Sequence, residues 1–493
     1  MKGNTTNEEI YCAFPFTFAY SRHLLRIRRF RERDDRTVGR HITRGGVDTA
    51  SEPEDAYPKY DIDLGGGEFN ILFYDAVKAC GWSSDIPCDV DVTEQTGDVL
   101  SDAVYTRNRK IEDMYNLKIS AFSNDGDPWG TYSLLEKSVM SGSGEYDAAF
   151  CKQQGFEQAS ANGYVLQLDD LLDFKKPWWD SKSLEGFSVL GKTYAISGDV
   201  TFMDKLSYIA IFFNKPMAED YGLGDIYQLV IDKEWTFDKM LSMCELVSAD
   251  LNDDGKMNKE DRFGFSGQND AAYELFQSAG ERFCTLDSEG VPYMSNDSER
   301  AIQILMNIYT FMNDKTNFFN RQTANLTVAD TIEMFRSNRV LFLMRPLQTI
   351  MELRAMDADF GIIPTPLMDS TQTEYHTSIG YTVANVVMIP ADVKDATISA
   401  QVLDTLSADS YYNLNSVFYD MVLGTKYTRD DNSSKNLDII MDNAVYDPGC
   451  IYAFGGMSDT FLKVMKPDVV SSTIAKLKDK VQADIDKYIE TIS

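Results

Sequence analysis

A chain of 493 residues with 77 acidic and 47 basic side chains carries a formal charge of −30, which makes nucleic acid or an anionic membrane a poor partner for its body. Its 43% hydrophobic and 12% aromatic content exclude a disordered chain, and its length allows two or three domains. No apolar run approaches a membrane span; Tyr208 to Phe213 is among the longest and reads as a buried strand.

The charge is uneven at the start. Residues 1–50 hold ten Lys and Arg against six Asp and Glu, and nine of these ten are Arg, whereas the body prefers Lys. His23 and His41 also fall there. A disordered basic tail and an RNA-binding arm are two readings; a stretch that is not native coding sequence is the one expected from so abrupt a change in usage. No export signal is recognisable, because the apolar stretch Tyr11 to Tyr20 precedes the positive charges. Segment 51–67, with Pro, acids and a glycine run, reads as a linker.

Beyond it, strands and helices alternate. FNILFY (69–74) predicts a short strand, and Asp98 to Asn116 a helix. GKTYAIS (191–197) and SYIAIFF (207–213) predict strands. Thr236 begins a helix whose Phe237, Met240, Leu241 and Cys244 share one face. FCTLDSEGVPYM predicts a hairpin, and Ala301, Ile302, Leu305, Tyr309 and Met312 another amphipathic helix. VLFLM (340–344), FGII (360–363) and TVANVVMI (382–389) read as strands. Ile474, Leu477, Val481, Ile485 and Tyr488 repeat at helical spacing to the end. Such alternation predicts an α/β fold with mostly parallel sheets, and a body of this size predicts two lobes.

Between the Thr236 helix and a strand FGFSG lies DLNDDGKMNKED. Asp250, Asn252, Asp254, the carbonyl of Lys256, Asn258 and Asp261 stand where a calcium loop places its oxygens, with Gly255 at the sharp turn. A solvated acidic turn is the alternative. Asp in place of Glu at the twelfth position shortens the last ligand. No exiting helix and no second copy follow, so the expected role is a structural Ca2+ clip and not a sensor. A single weak site fills where calcium is near millimolar, which favours an extracytoplasmic home.

Catalytic signatures are missing. His376 is the one histidine of the body and lies in a polar stretch that reads as an exposed loop. No nucleophile elbow, P-loop or dinucleotide fingerprint follows a strand. Seven cysteines show no metal spacing; Cys80 and Cys88 are close enough in sequence for a small disulfide, though isolated thiols are the expectation. What the body offers is aromatics mixed with amides: Phe73 and Tyr74, Gln153 and Gln154, Gln268 and Asn269 with Tyr273, Tyr381, and Tyr452 with Phe454. Flat apolar faces and paired hydrogen-bonding groups are what sugar rings require. Trp178 and Trp179, after Pro177, read as structural.

Ordered stretches along the body carry a resemblance: TGDVLSDAVYTRNRKIEDMYN (96–116), GEYDAAF (144–150), KPWWDSKSLEGFSVLGKTYAISGDV (176–200), IFFNKPMAEDYGL (211–223), EWTFDKM (234–240), the DLNDDGK loop, MDADFGIIPTP (356–366) and AVYDPGCIYAF (444–454). From about residue 68 to 490 the chain resembles the extracellular solute-binding proteins of bacterial ABC importers, in the sugar-binding group of Firmicutes. The resemblance implies a two-lobe periplasmic-binding-protein-like fold (type II) hinged by crossing strands, with carbohydrate in the cleft. Lobe one would hold 68–207 plus 382–430, and lobe two 208–381 plus 431–493, with crossings at 207–213 and 378–386. Gln153, Gln154 and Asp199 would face the cleft from lobe one; Gln268, Asn269, Tyr273, Arg345, Tyr381 and Tyr452 would complete it. It implies no catalytic residues, a monomer, ABC permease subunits as partners, no nucleic acid, and a cell-surface or membrane-anchored location. A glycan-active enzyme and a binding protein serving a sensor kinase are the alternatives.

Overall fold

Two sheets organise the chain, and their strands come from separate stretches of sequence. The computed structural model describes residues 57–493 apart from 124, 354–355, 357–358 and 424–430. The basic stretch 1–50 and the start of the linker lie outside the described residues. The first sheet has the order Asn385–Met388, Ala148–Lys152, Gly67–Phe73, Leu117–Ser123. The second has the order Phe318–Asn320, Phe263–Gly267, Val340–Pro346, Ile209–Asn214, Phe360–Ile363.

The sheets are mixed, which corrects the expectation of mostly parallel strands. Gly67–Phe73 runs parallel to both Leu117–Ser123 and Ala148–Lys152, but Asn385–Met388 lies antiparallel to Ala148–Lys152. In the second sheet Phe318–Asn320, Phe263–Gly267 and Val340–Pro346 are parallel, while Ile209–Asn214 runs against both its neighbours. The odd strands are those at the crossings, since a chain arriving from the other body enters its new sheet in the opposite direction. Tyr208 and Ile379 pair as an isolated antiparallel bridge, so the two crossings touch where they pass. The N–H groups of Leu347 and Gly380 donate to the Tyr208 and Ser207 carbonyls, at 2.9 Å each, and fix this joint.

Local chemistry explains the element ends. The helix Val99–Tyr115 starts at Asp98, whose carboxylate accepts the Ser101 N–H at 2.9 Å, and stops at Asn116, in left-handed geometry at φ 46°. Thr236 caps the helix Phe237–Val247 through the Lys239 N–H. Its buried face is Phe237, Met240, Met243, Cys244 and Val247, with Leu241 at the margin. That face sits on Gly264, where an added Cβ would lie 2.2 Å from the Cys244 Cα. Helix and strand can approach so closely only because the residue is glycine.

Two expected strands are shorter than their apolar runs. Within 191–197 the strand is only Lys192–Thr193, paired with Ser188–Val189 across a turn at Leu190 and Gly191 (φ 54° and 71°), and Ile196 adds an isolated antiparallel bridge to Val387. Within 382–389 only Asn385–Met388 is strand, because the N–H groups of Val383 and Ala384 turn back to the Gly380 carbonyl. Cys80 and Cys88 are both free thiols. Trp178 and Trp179 are buried, and both indole N–H groups donate to one oxygen of Asp404, at 2.6 and 3.0 Å. No helix among the described residues is long and apolar enough to cross a membrane.

A continuous hydrophobic cluster runs from one face of the first sheet (Leu72, Ala149) through the crossings (Tyr208, Ile379) into the second (Phe212, Phe265, Phe342). The helix Val470–Ile492 touches both bodies. Its Tyr488 hydroxyl lies 3.0 Å from the Ser160 hydroxyl, beyond the first sheet, and its Lys478 ammonium 2.7 Å from Asp297, beyond the second.

Candidate functional site

Ligands of open α/β sheets bind outside the carboxyl ends of the parallel strands. In this chain those ends collect a chemically distinctive set. Tyr74 and Cys80 follow Gly67–Phe73, and Trp129 follows Leu117–Ser123. Gln153 and Gln154 follow Ala148–Lys152, Gln268 to Asp270 follow Phe263–Gly267, and Arg321 follows Phe318–Asn320. Arg345 is the last residue but one of Val340–Pro346.

Direct contacts tie much of this set together across the joint. The Gln153 N–H donates to the Ala384 carbonyl at 2.9 Å and the Gln154 N–H to the Tyr381 carbonyl at 3.0 Å. The rings of Tyr381 and Tyr273 meet edge to face, with centroids 5.3 Å apart. Tyr273 and Glu274 ride on the buried helix Ala271–Ser278, which begins at Asp270. Gln268 accepts both Nε and Nη2 of Arg321, and Asn269 accepts Nδ2 of Asn320 at 2.9 Å.

On the other side the Lys152 ammonium lies 3.6 Å over the centre of the Trp129 ring and donates to the Gln154 amide oxygen at 3.3 Å. Gly155, at φ 101°, lets the loop pass there; an added Cβ would stand 2.8 Å from the Tyr132 ring and 3.1 Å from that of Trp129. Trp129 is 47% exposed, unusual for so large an apolar side chain.

Several buried polar atoms here have no hydrogen-bond partner: Gln153 Nε2, Tyr273 OH, Arg345 Nε, Gln348 Oε1 and Asn385 Oδ1. The Tyr381 hydroxyl is also outside hydrogen-bond geometry, although Ser458 is near enough to affect its proton. Leaving such groups dry costs about 1–3 kcal/mol each, and a native protein keeps a concentration of them where a ligand or ordered water will satisfy them.

The electrostatics agree. Burial lowers the proton affinity of Lys152, bringing its pKa to about 8, against the pull of Cys80, Asp127 and Glu157. Burial raises that of Asp270, with Arg345 and Arg321 opposing, and holds Glu274 well above the carboxylate range, with Asp270 adding to the rise. The Cys80 thiol, pushed up by burial, is pulled back by its bond to Tyr74 and by both Lys152 and Arg345. One thiol therefore feels a cation from each body.

The structure thus brings together Gln153, Gln154, Gln268, Asn269, Tyr273, Tyr381 and Arg345. It places Asp199 elsewhere, paired with Lys205 at 3.1 Å beside the buried Asp204. Tyr452 packs between Phe156, Phe454 and Tyr488, and its hydroxyl donates to the Phe187 carbonyl at 3.1 Å, a core position. Trp129, Lys152, Asp270, Glu274 and Arg321 escaped the sequence reading. Their signal was position: each stands at or a few residues beyond the end of a parallel strand. His376 is half-buried, not an exposed loop residue; burial, with Arg282 nearby, lowers its pKa to about 4. A surface hollow of about 550 Å3 lined by Glu299, Arg300, Gln303, Asn307 and Asp369 shares no residue with this set. Arg300 there is already paired with Glu281 and Asp369, leaving a ligand little to satisfy.

The acidic loop closes on itself between Ala249 and Arg262, which pair as an antiparallel bridge. Asp250 accepts the N–H groups of Asn252 and Gly255, Asn252 that of Asp254, and Asp254 that of Lys256. Asp261 is fully buried, and its two oxygens accept the N–H groups of Leu251 and Asn258 at 3.0 and 2.8 Å. Gly255, at φ 75°, makes the turn. This all-oxygen donor set suits a hard cation, because each accepting oxygen keeps a further lone pair. Among the described residues no three His, Cys, Asp or Glu side chains gather as a metal cluster, so a bound ion would also need the asparagines and the Lys256 carbonyl.

Solved structures with similar folds place this geometry. An ABC substrate-binding protein of Listeria monocytogenes, in complex with cycloalternan, is similar at TM-score 0.52 and 13% identity, covering 87% of this chain and 99% of that one. The GacH receptor of Streptomyces glaucescens, solved unliganded and with acarbose, matches at TM-score 0.53 and 14% identity, over 87% and 98% of the two chains. UspC of M. tuberculosis matches at 0.54 and 14%, over 85% and 100%. The fold is that of the ABC-type solute-binding proteins. No family model and no curated protein matches the sequence.

Proposed function

We propose that this chain is the solute-binding subunit of a bacterial ABC importer of the Firmicutes type, and that it takes a carbohydrate, an oligosaccharide, between its lobes without turning it over. The observation that carries the reading is the convergence of unpartnered buried polar atoms from both bodies, Gln153 Nε2 against Tyr273 OH and Arg345 Nε, beside an exposed Trp129 ring. Hydroxyls of a sugar would satisfy the first and its C–H face would cover the second. The cycloalternan and acarbose bound to the similar proteins support the class of ligand.

Lobe one would comprise 68–207 plus 382–430 and lobe two 208–381 plus 431–493, with the last helix shared at its contacts. Closure about the Tyr208–Ile379 joint would form the surface that the permease reads. The site of action would be extracytoplasmic, on a monomer held at the cell surface, and the 250–261 loop would hold a structural Ca2+. A calorimetric screen of mono- and oligosaccharides, with product analysis of the same mixtures, tests the reading. Binding with ligand-induced closure and no product is expected. Product from a glycan would replace importer with enzyme.

A further inference from the structure

Two buried cations in the cleft have no anion. Arg345 is 6% exposed, its Nε has no partner, and no side-chain hydrogen bond or ion pair reaches its guanidinium among the described residues. Lys152 is 2% exposed, and among the described residues it meets a neutral amide oxygen, that of Gln154, and the rings of Trp129 and Tyr74, but no carboxylate. They come from opposite bodies, at the ends of the strands Ala148–Lys152 and Val340–Pro346.

Taking a charge out of water without a partner is costly, and proteins accept it where a ligand supplies the counter-charge. The carboxylates nearby do not supply it. Asp270, Glu274 and Glu352 act on Arg345 from beyond ion-pair distance, and Asp127 and Glu157 do the same for Lys152. Burial also drives Asp270 and Glu274 toward their protonated forms, which weakens their hold on Arg345. With a formal charge of −30, the chain as a whole repels anions, so a paired cation site is what an anionic solute would require.

We propose that the solute carries an anionic group, a carboxylate on a sugar ring, and that Lys152 and Arg345 receive it from the two lobes as the cleft closes. The proposal rests on the reading of the cleft as a carbohydrate site. A guanidinium offers a carboxylate two parallel N–H bonds, and the ammonium adds a third from across the joint. Trp129 then serves the ring that bears the group, since Lys152 already lies over its face.

Matched pairs distinguish this from a neutral-sugar site. Uronic-acid oligosaccharides and their carboxyl-reduced neutral counterparts would be titrated into the full-length protein by calorimetry, with citrate as an anion lacking a sugar ring. The acidic member of a pair should bind at least about tenfold tighter than its reduced form, and Lys152→Met and Arg345→Gln should each erase the preference. Because Arg345 is buried, melting curves accompany both variants to show that they fold, and added salt should narrow the preference in the wild-type protein. Neutral members binding as well as acidic ones would overturn the anion site and leave the sugar cleft standing. Citrate binding alone would keep the cation pair and remove the sugar. Binding by no member of the set would remove both.

Discussion

The Lys152 ammonium sits 3.6 Å over the Trp129 ring, close enough for a strong cation–π contact on an otherwise exposed face. Lys152 covers part of the ring, and what a sugar could cover is the part of Trp129 that stays exposed. Trp129→Ala should therefore weaken oligosaccharide binding by about tenfold while leaving the melting temperature nearly unchanged, because the side chain is half exposed. Calorimetry and a thermal melt check both halves; unchanged affinity would take Trp129 out of the site.

Asp404 receives three donors on one carboxylate: the indoles of Trp178 and Trp179 on Oδ1, and the Tyr60 hydroxyl at 2.7 Å on Oδ2. Asp404→Leu would leave all three without an acceptor. The expected loss is about 3 kcal/mol or more, read from urea unfolding, with sugar affinity in the surviving folded protein unchanged. A variant as stable as the wild type would show that those bonds contribute nothing net.

The half-buried His376 makes an acid-side prediction. Its pKa is about 4 in the folded chain against an ordinary 6.5, lowered first by burial and then by Arg282, with Lys182 assisting and Glu374 opposing. The unfolded chain therefore binds more protons across that window, so the folded state loses stability as pH falls from about 6.5 toward 4. His376→Gln should lessen the drop in melting temperature over that range relative to wild type. Parallel pH profiles would show histidine to be irrelevant.

If the 250–261 loop holds calcium, the ion stabilises the fold by mass action, about 1.4 kcal/mol at tenfold excess over its Kd. Asp254→Ala should lower the melting temperature in millimolar calcium, and the difference should vanish with a chelator. Sugar affinity should hardly move. A large loss of affinity with no change in stability would make the loop part of the binding site instead.

Much of this was legible from the residues. Helix ends followed their caps at Asp98 and Thr236, and the apolar runs at 207–213, 340–344 and 360–363 became three adjacent strands of the second sheet. What periodicity could not supply was direction: Ile209–Asn214 and Asn385–Met388 run against their neighbours because of where the chain comes from. The site divides the same way. Gln153 and Tyr273 stood out as residue types and Arg345 came with the resemblance, whereas nothing in the residue pattern singled out Lys152 and Arg321 until burial and strand ends gave them a place. Asp199 and Tyr452 had suitable chemistry, but Lys205 and the Phe187 carbonyl use it.

The helix Val470–Ile492 reaches Ser160 with Tyr488 and Asp297 with Lys478, so the two bodies are joined there as well as at the Tyr208–Ile379 crossing. Two attachments define a line. Rotation about that line preserves both, whereas separation along any other direction must release one. If the lobes open and close on a solute, the motion these contacts leave free is torsion more than gaping, with the tail of the molecule as its second pivot.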